Sequence, residues 1–385
     1  MFHIAGPEDI LAGKVTDIYF ERTKQILNRL GKDAHVAVEF IVKKFPAPNK
    51  WGIFAGLEEA MTILSQLPVT VEGLTEGALF FEDEPVLTIT GKYLDFGPYE
   101  TALLGILCQA SGVATKAARC KKAADVRPVI SFGARRMHPA LAPMIERNAF
   151  IGGCDGVASI AAAELLRIPP SGTIPHALIL IIGDTLEAVQ AFDRHVDPAL
   201  PRVALVDTFN DEKFEALRVA EALKEKLFAI RLDTPSNRRG DFVSLAKEIR
   251  WELDLRGHRH VKIFLSGGID EEKILQYNVI ADAYGVGTAI SNAPVLDYSM
   301  DIVEINGRPL AKRGKKSGRK MLCHKRGSNE RVILPMQTAL EQPNEYLSLY
   351  TQLMRAGEVL YHSPAATEIR NIVLEQMQHV DLIGK

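Results

Sequence analysis

The 385-residue sequence predicts an α/β protein, a parallel α/β barrel flanked by an α+β lobe onto which the C-terminal segment folds back. Three observations predict it. Between positions 125 and 290, short apolar runs alternate with helical stretches every 20 to 35 residues or so, roughly the rhythm of βα units on a parallel sheet. Glycine, acid or base follows each run in phase. The flanks lack this rhythm, which sets the organisation at 1–115, 116–295 and 296–385.

In the first region Asp17–Leu30 has helical spacing through Ile18, Ile26, Leu27 and Leu30, with Gly31 as a stop. His35–Val42 and Pro85–Thr90 have the β-branched, alternating character of strands. The rhythmic region offers seven candidate strands: Val129–Phe132, Phe150–Gly152, Thr173–Pro175, Val203–Val206, Phe228–Leu232, Val261–Leu265 and Ile280–Val286. Asp211–Leu227 and Asp241–Leu255 read as helices between them. Seven strands without a long interruption favour a barrel, with an open doubly wound sheet as the alternative. In the last region Asp301–Leu310 reads as a hairpin through Asn306-Gly307, and Thr338–Tyr361 and Ala366–Met377 as helices. Between the hairpin and those helices lies the basic tract KRGKKSGRKMLCHKRG, expected to be a solvated loop.

Composition narrows the function. With 47% hydrophobic and 24% charged residues the chain can build a core, which excludes a disordered or collagen-like protein. Lys and Arg number 46 against 48 Asp and Glu, a net charge of -2 that argues against a dedicated nucleic-acid binder. Cys108, Cys120, Cys154 and Cys323 are too scattered for a disulfide framework or a four-cysteine zinc site, and Cys323-His324 lacks a partner pair at zinc spacing. No protein-held metal is expected. MFHIAGPEDI has neither a basic n-region nor an apolar h-region, and no run approaches the roughly 18 residues of a membrane span, so a cytoplasmic location is expected.

Candidate chemistry collects where the strands end, the rim on which barrel enzymes place their sites. Phe132 leads into Gly133-Ala134-Arg135-Arg136; Cys154-Asp155 follows FIGG, His176 follows TIP, and Asp207 follows VALV. FAIRLD carries Arg231 and Asp233, and the last two runs lead into Ser266-Gly267-Gly268-Ile269 and Gly285-Val286-Gly287-Thr288. Glycines after the final barrel strands suit a phosphate, because backbone N–H groups can approach the anion closely; Ser266 and Thr288 add hydroxyl donors. Arg135, Arg136 and Arg231 can grip phosphate or carboxylate oxygens in two-pronged fashion, while Asp207 and Asp233 can accept from ribose hydroxyls or balance charge on a sugar ring. His176 reads two ways. If Ala177–Ile182 continues a strand it is structural; if Ala177–Phe192 is a helix it faces the rim.

The ordered series TDIYF, YETALLGIL, SFGARR, GGCDGVAS, TIPH, VDTFND, AIRLD, SGGID and YGVGT resembles the nicotinate phosphoribosyltransferases of archaeal type, within the wider quinolinate, nicotinate and nicotinamide group. That resemblance runs from Asp17 to about Asn292. It implies an irregular α/β barrel beside an α+β lobe built from both chain ends, and a homodimer or higher homo-oligomer with shared active sites. The implied reaction joins nicotinate to 5-phosphoribosyl-1-diphosphate (PRPP), with Mg²⁺ accompanying the diphosphate and ATP as co-substrate through a phosphorylated histidine. Gly267, Gly268, Gly285 and Gly287 would then cradle the 5-phosphate, Phe132 would stack on the pyridine, and Arg135 would meet the ring substituent or diphosphate. Asp207, Arg231 and Asp233 would surround the ribose and diphosphate, His176 would be phosphorylated, and Asp17 and Tyr19 would reach into the partner's site. Asp155 matches an aspartate that accepts from the amide in the nicotinamide enzymes, and would repel nicotinate unless a cation offset it. The alternatives are quinolinate or nicotinamide as acceptor, or a catalytically silent phosphate- or nucleotide-binding regulator.

Overall fold

The computed structural model describes residues 2–235, 237–238 and 240–382. The chain divides into two compact units, Met1–Thr115 with Pro294–Lys385, and Lys116–Ala293.

The first unit is built on an antiparallel sheet. Its centre is the pair His35–Val42 and Pro85–Lys92, both long and both rich in β-branched residues. Tyr298–Ile305 adds beside His35–Val42, and Thr70–Gly73 beside Pro85–Lys92. Thr351–Arg355 then pairs with Thr70–Gly73, so strands from the C-terminal segment close the sheet on both sides. Val38, Phe40, Leu87 and Ile89 are buried from one sheet face against Leu57 and Leu64 of the helix Leu57–Leu64 and against Leu103. Each such side chain contributes about 1.5–3 kcal/mol by leaving water. The helix Ile18–Leu30 stops where expected: Gly31 takes φ 61°, and the N–H groups of Gly31 and Lys32 close onto the carbonyls of Asn28 and Leu27.

Two expectations in this unit are corrected. Thr338–Tyr361 is not a helix. Helix covers only Met336–Glu341, and strands Tyr346–Ser348, Thr351–Arg355 and Glu358–Val359 follow. Pro343 cannot continue the helix, and pairing with Thr70–Gly73 is a tertiary force to which local periodicity is blind. Nor is the basic tract a free solvated loop. Lys312 and Lys315 both meet Asp301, Arg319 meets Glu72 at 2.7 Å, and Lys320 meets the buried Glu39 at 2.8 Å. Much of its charge neutralises acids of the sheet, and Lys320–Lys325 is itself a strand.

The second unit carries six parallel strands: β1 Val129–Ser131, β2 Gly156–Val157, β3 Arg202–Leu205, β4 Leu227–Leu232, β5 Lys262–Leu265 and β6 Ala283–Val286. They hydrogen-bond in the order β2-β1-β6-β5-β4-β3. First strand against last, with every other neighbour consecutive, is the cyclic order of a barrel left open between β2 and β3. Two of the seven expected strands are absent, and Gly156–Val157 supplies β2 instead. Phe150–Gly152 closes the helix Ala142–Ile151. Thr173–Pro175 runs through the gap without pairing as a strand, since Pro169, Pro170 and Pro175 have no N–H to donate. The stretch after His176 is two helices, His176–Ile182 and Thr185–His195, separated at Gly183 with φ 94°.

Candidate active site

Successive strand residues point to opposite faces of a sheet, so positions two apart share one face. On the inner face Val203, Ala229 and Phe264 are buried together, with Ile130, Phe132 and Ala283 packed against them. Two residues further along β4 and β5 come Arg231 and Ser266, and just past β3 and β4 come Asp207 and Asp233. An apolar floor therefore gives way to a polar layer at the C-terminal end of the half-barrel.

Arg231 is the centre of that layer. Its Nε donates to Ser266 Oγ at 2.9 Å, its Nη1 donates to Thr173 Oγ1 at 2.8 Å, and its Nη2 lies 3.2 Å from Asp233 Oδ2. The guanidinium carbon stands 5.3 Å from the centroid of the Phe132 ring, within cation–π range. Phe132 in turn leans on Phe264, centroids 5.8 Å apart. Beside this pair opens a cavity of about 270 Å³, lined by Phe132, Arg135, Ser159, Ser171, Thr173 and Arg231 among others.

The acids form a second cluster. Asp207 Oδ2 accepts from the Asp233 N–H at 3.0 Å, and Asp233 Oδ1 accepts from Ser266 Oγ at 2.7 Å. His176 opens its helix beside them, Nε2 lying 4.0 Å from Asp207 Oδ1 and 3.6 Å from Asp233 Oδ2. The Asp207 side chain is 1% exposed and its Oδ1 makes no hydrogen bond. Burial first, and the neighbouring Asp233 charge second, push its carboxyl above the usual range, against the pull of His176. A buried acid with a free oxygen at a rim is suited to meeting a cation or a hydroxyl.

The two glycine sets differ. Gly267 and Gly268 follow β5 at φ 87° and 66°, a left-handed turn that side chains resist, and Lys273 Nζ reaches the Gly268 carbonyl. Gly287 caps the short helix Thr288–Ser291 beyond β6, with Thr288 exposed. Gly285 is not in that loop. It lies inside β6, where a Cβ would stand 2.5 Å from two carbons of the Phe132 ring. Its place in the phosphate cradle is corrected to that of the gap which seats Phe132.

Asp155 is also corrected. It precedes β2 and exchanges hydrogen bonds with Val129, the first residue of β1, with Lys121 at 3.2 Å from its carboxylate. That is the opposite end of the sheet from the cavity. The error follows from reading FIGG as a strand. Asp17 and Tyr19 belong to the first unit, both exposed at the start of the helix Ile18–Leu30, with Asp17 Oδ2 accepting from Thr101 Oγ1 at 3.0 Å.

Comparison with known proteins places this geometry. The family model "Quinolinate phosphoribosyl transferase, C-terminal domain" matches residues 113–301, and the corresponding N-terminal domain model matches residues 17–111. A nicotinate phosphoribosyltransferase of Mycobacterium tuberculosis is 30% identical over 367 residues, covering 83% of this chain and 80% of that one. The chain belongs to the quinolinate and nicotinate phosphoribosyltransferase group. A crystal structure of nicotinate-nucleotide pyrophosphorylase from Pyrococcus furiosus is similar at 49% identity with a TM-score of 0.95, over 98% of each chain. Human nicotinic acid phosphoribosyltransferase shares the fold, with a TM-score of 0.71 at 17% identity over 95% of this chain and 94% of the other. As a member of this group the chain is an enzyme of phosphoribosyl transfer in NAD synthesis.

Several residues of this candidate site in the phosphoribosyltransferase chain went unseen in the sequence. Thr208 Oγ1 lies 3.0 Å from His176 Nδ1 and so sets the ring's orientation. Ser159 lines the cavity because the buried Glu146 accepts from the N–H groups of Ala158 and Ser159, each at 2.9 Å. Lys273 has no carboxylate partner among the described residues and projects over the Gly267-Gly268 turn. The signal for Thr208 was its place after Asp207 in VDTF; nothing local marked Glu146. No helix among the described residues is long and apolar enough to cross a membrane.

Proposed function

We propose that the chain transfers the phosphoribosyl group of PRPP to nicotinate, forming nicotinate mononucleotide and diphosphate. The observation that carries this is the charge of the cavity. Arg135 and Arg231 line it, whereas Asp155, the acid that would repel a ring carboxylate, is turned to Val129 and Lys121. Two cations beside an aromatic platform suit a pyridine bearing one carboxylate. A dicarboxylate such as quinolinate calls for a denser basic pocket. The name of the M. tuberculosis relative supports the same reading.

In this reading Phe132 takes the pyridine face; Arg231, which the resemblance assigns to the ribose and diphosphate, lies beside that ring and takes the carboxylate together with Arg135, and the Gly267-Gly268 turn with Gly287 and Thr288 takes the 5-phosphate. Asp233 and Asp207 meet the ribose hydroxyls and hold its anomeric carbon below the ring nitrogen. As the diphosphate oxygen leaves that carbon, the sugar becomes oxocarbenium-like and the nitrogen lone pair closes the new bond. No proton has to move, so positioning and fixed charge supply most of the acceleration. Mg²⁺ arrives with the diphosphate. The described residues contain no group of three or more candidate metal ligands, while Asp207 Oδ1 is buried without a hydrogen bond beside Asp233. That donor set suits a hard cation which keeps substrate and water oxygens, neutralising charge on the leaving group.

ATP enters this reading as co-substrate through phosphorylation of His176, whose Nε2 faces both acids. Assembly is read as a homodimer or higher homo-oligomer, with Asp17 and Tyr19 serving the neighbouring subunit's site. The test is a panel of nicotinate, nicotinamide and quinolinate, each with PRPP and Mg²⁺, with and without ATP. Turnover of nicotinate, raised by ATP, is expected. Turnover of quinolinate or nicotinamide with none of nicotinate rejects the reading.

A further inference from the structure

We propose that Thr173 is a positioning residue that sets selectivity for a pyridine carboxylate, by fixing the direction in which Arg231 offers its free N–H groups. The inference deepens the reading above and rests on its cavity, though not on which pyridine acid fills it.

A guanidinium has five N–H donors in a rigid plane. In Arg231, Nε is taken by Ser266, one N–H of Nη1 by Thr173, and Nη2 is drawn to Asp233. One N–H on each terminal nitrogen is left over, and such a fork is what a planar carboxylate accepts in two-pronged fashion. Phe132 fixes the face of the plane at 5.3 Å, and the three acceptors fix its rotation. Ser266 and Asp233 belong to the half-barrel or its immediate rim. Thr173 alone comes from the irregular segment in the gap between β2 and β3.

That segment is held sparingly. Among the described residues its backbone joins the sheet where Ser171 N–H donates to the Val157 carbonyl at 2.8 Å, and Ile174, 1% exposed, anchors it by packing. Neither depends on the Thr173 hydroxyl. Thr173→Val preserves the shape and both anchors while removing the acceptor from Arg231 Nη1. The guanidinium is then free to turn about the Ser266 and Asp233 contacts, and its fork no longer faces the cavity.

The experiment begins with the wild-type enzyme on the three-pyridine panel and then compares Thr173→Val and Thr173→Ser on the acid that is accepted. Thr173→Val is expected to raise the KM for that acid on the order of ten-fold, the effect of misplacing a hydrogen bond to a charged group. The KM for PRPP should stay within about two-fold, because uniform loosening of the rim is not what the hydroxyl prevents. Thr173→Ser, which restores the oxygen, should return the KM of the acid. An unchanged acid KM in Thr173→Val, a parallel rise for PRPP, or failure of Thr173→Ser to restore it overturns the proposal. Quinolinate turnover in place of nicotinate would reject the nicotinate reading and leave this inference standing. Turnover of nicotinamide alone would reject both.

Discussion

Gly285→Ala separates two accounts of the YGVGT segment. An added Cβ would stand 2.5 Å from Cδ2 and Cε2 of Phe132, and 3.3 Å from the Ser266 Cβ. Carbon atoms in contact settle at about 3.5–4.0 Å, so the ring has to retreat by about 1–1.5 Å. Phe264 backs Phe132 at a centroid distance of 5.8 Å and Arg231 stands 5.3 Å from its centre, which leaves the cavity as the direction of movement. Overpacking of this kind costs about 1–3 kcal/mol of stability. A platform displaced by about 1 Å lowers kcat/KM for the pyridine on the order of 100-fold, while the PRPP phosphate site is untouched. Urea denaturation reads the first effect, and initial rates with nicotinate and PRPP varied in turn read the second. Adding Phe132→Leu to Gly285→Ala should recover stability without recovering activity, because the shorter side chain makes room but offers no ring. A raised KM for PRPP with a normal KM for nicotinate would refute this and return Gly285 to the phosphate cradle.

Three further outcomes test other parts of the site and fold. His176→Ala should fold normally and keep basal transfer while losing stimulation by ATP; stimulation that persists in a coupled diphosphate assay would mean another group takes the phosphoryl. Gly268→Asp places a carboxylate and a Cβ at φ 66° in the turn after β5, so the KM for PRPP should rise at least about 100-fold with a stability loss of about 1 kcal/mol. A normal PRPP response would remove that turn from the phosphate site. In the first unit, burial and then the Asp301 charge push the Glu100 carboxyl up to about 7, with Lys312 acting the other way. The folded chain therefore keeps that proton while the unfolded chain releases it, and stability falls as pH rises from about 4.5 to about 7, then stays level. Glu100→Gln should melt higher than wild type at pH 8 and match it near pH 4, by about 1 kcal/mol for a partly exposed group. A variant that melts lower at pH 8 reverses the sign and sinks the argument.

The fold was legible where local pattern and tertiary demand agree. β3 to β6 and their helices combine apolar runs of strand length with helix caps such as Asp211 and Asp241, whose side chains accept from the N–H groups two and three residues on. The pattern misled at Phe150–Gly152 and Thr173–Pro175. The former is the buried end of a helix, and an apolar stretch that short has no period to distinguish it from a strand. The latter has the spacing of a strand but not the donors, and proline should have demoted it. In Thr338–Tyr361 a non-local pairing outweighs the helical pattern, and no window of local sequence contains its partner strand Thr70–Gly73.

The same distinction governs the site. Phe132, His176, Asp207, Arg231, Asp233, Gly267 and Gly268 share one rim because each is at or just after a strand end, or in the gap, and in those places sequence order translates directly into height along the half-barrel. Asp155 and Gly285 escape that rule by one step of phase. Asp155 precedes its strand instead of following it, so its carboxylate binds Val129 N–H at the far end, and Asp282, placed likewise before β6, binds Ile263 N–H at 2.8 Å. An acid beside a parallel strand thus marks a functional rim only once the strand's direction and limits are known. Gly285 sits one residue inside β6, where glycine serves a neighbouring ring and not a ligand. Glycine spacing alone carries no sign of that difference, because both uses require the absence of a Cβ. Only the atom that would occupy its place, a Phe132 ring carbon, tells them apart.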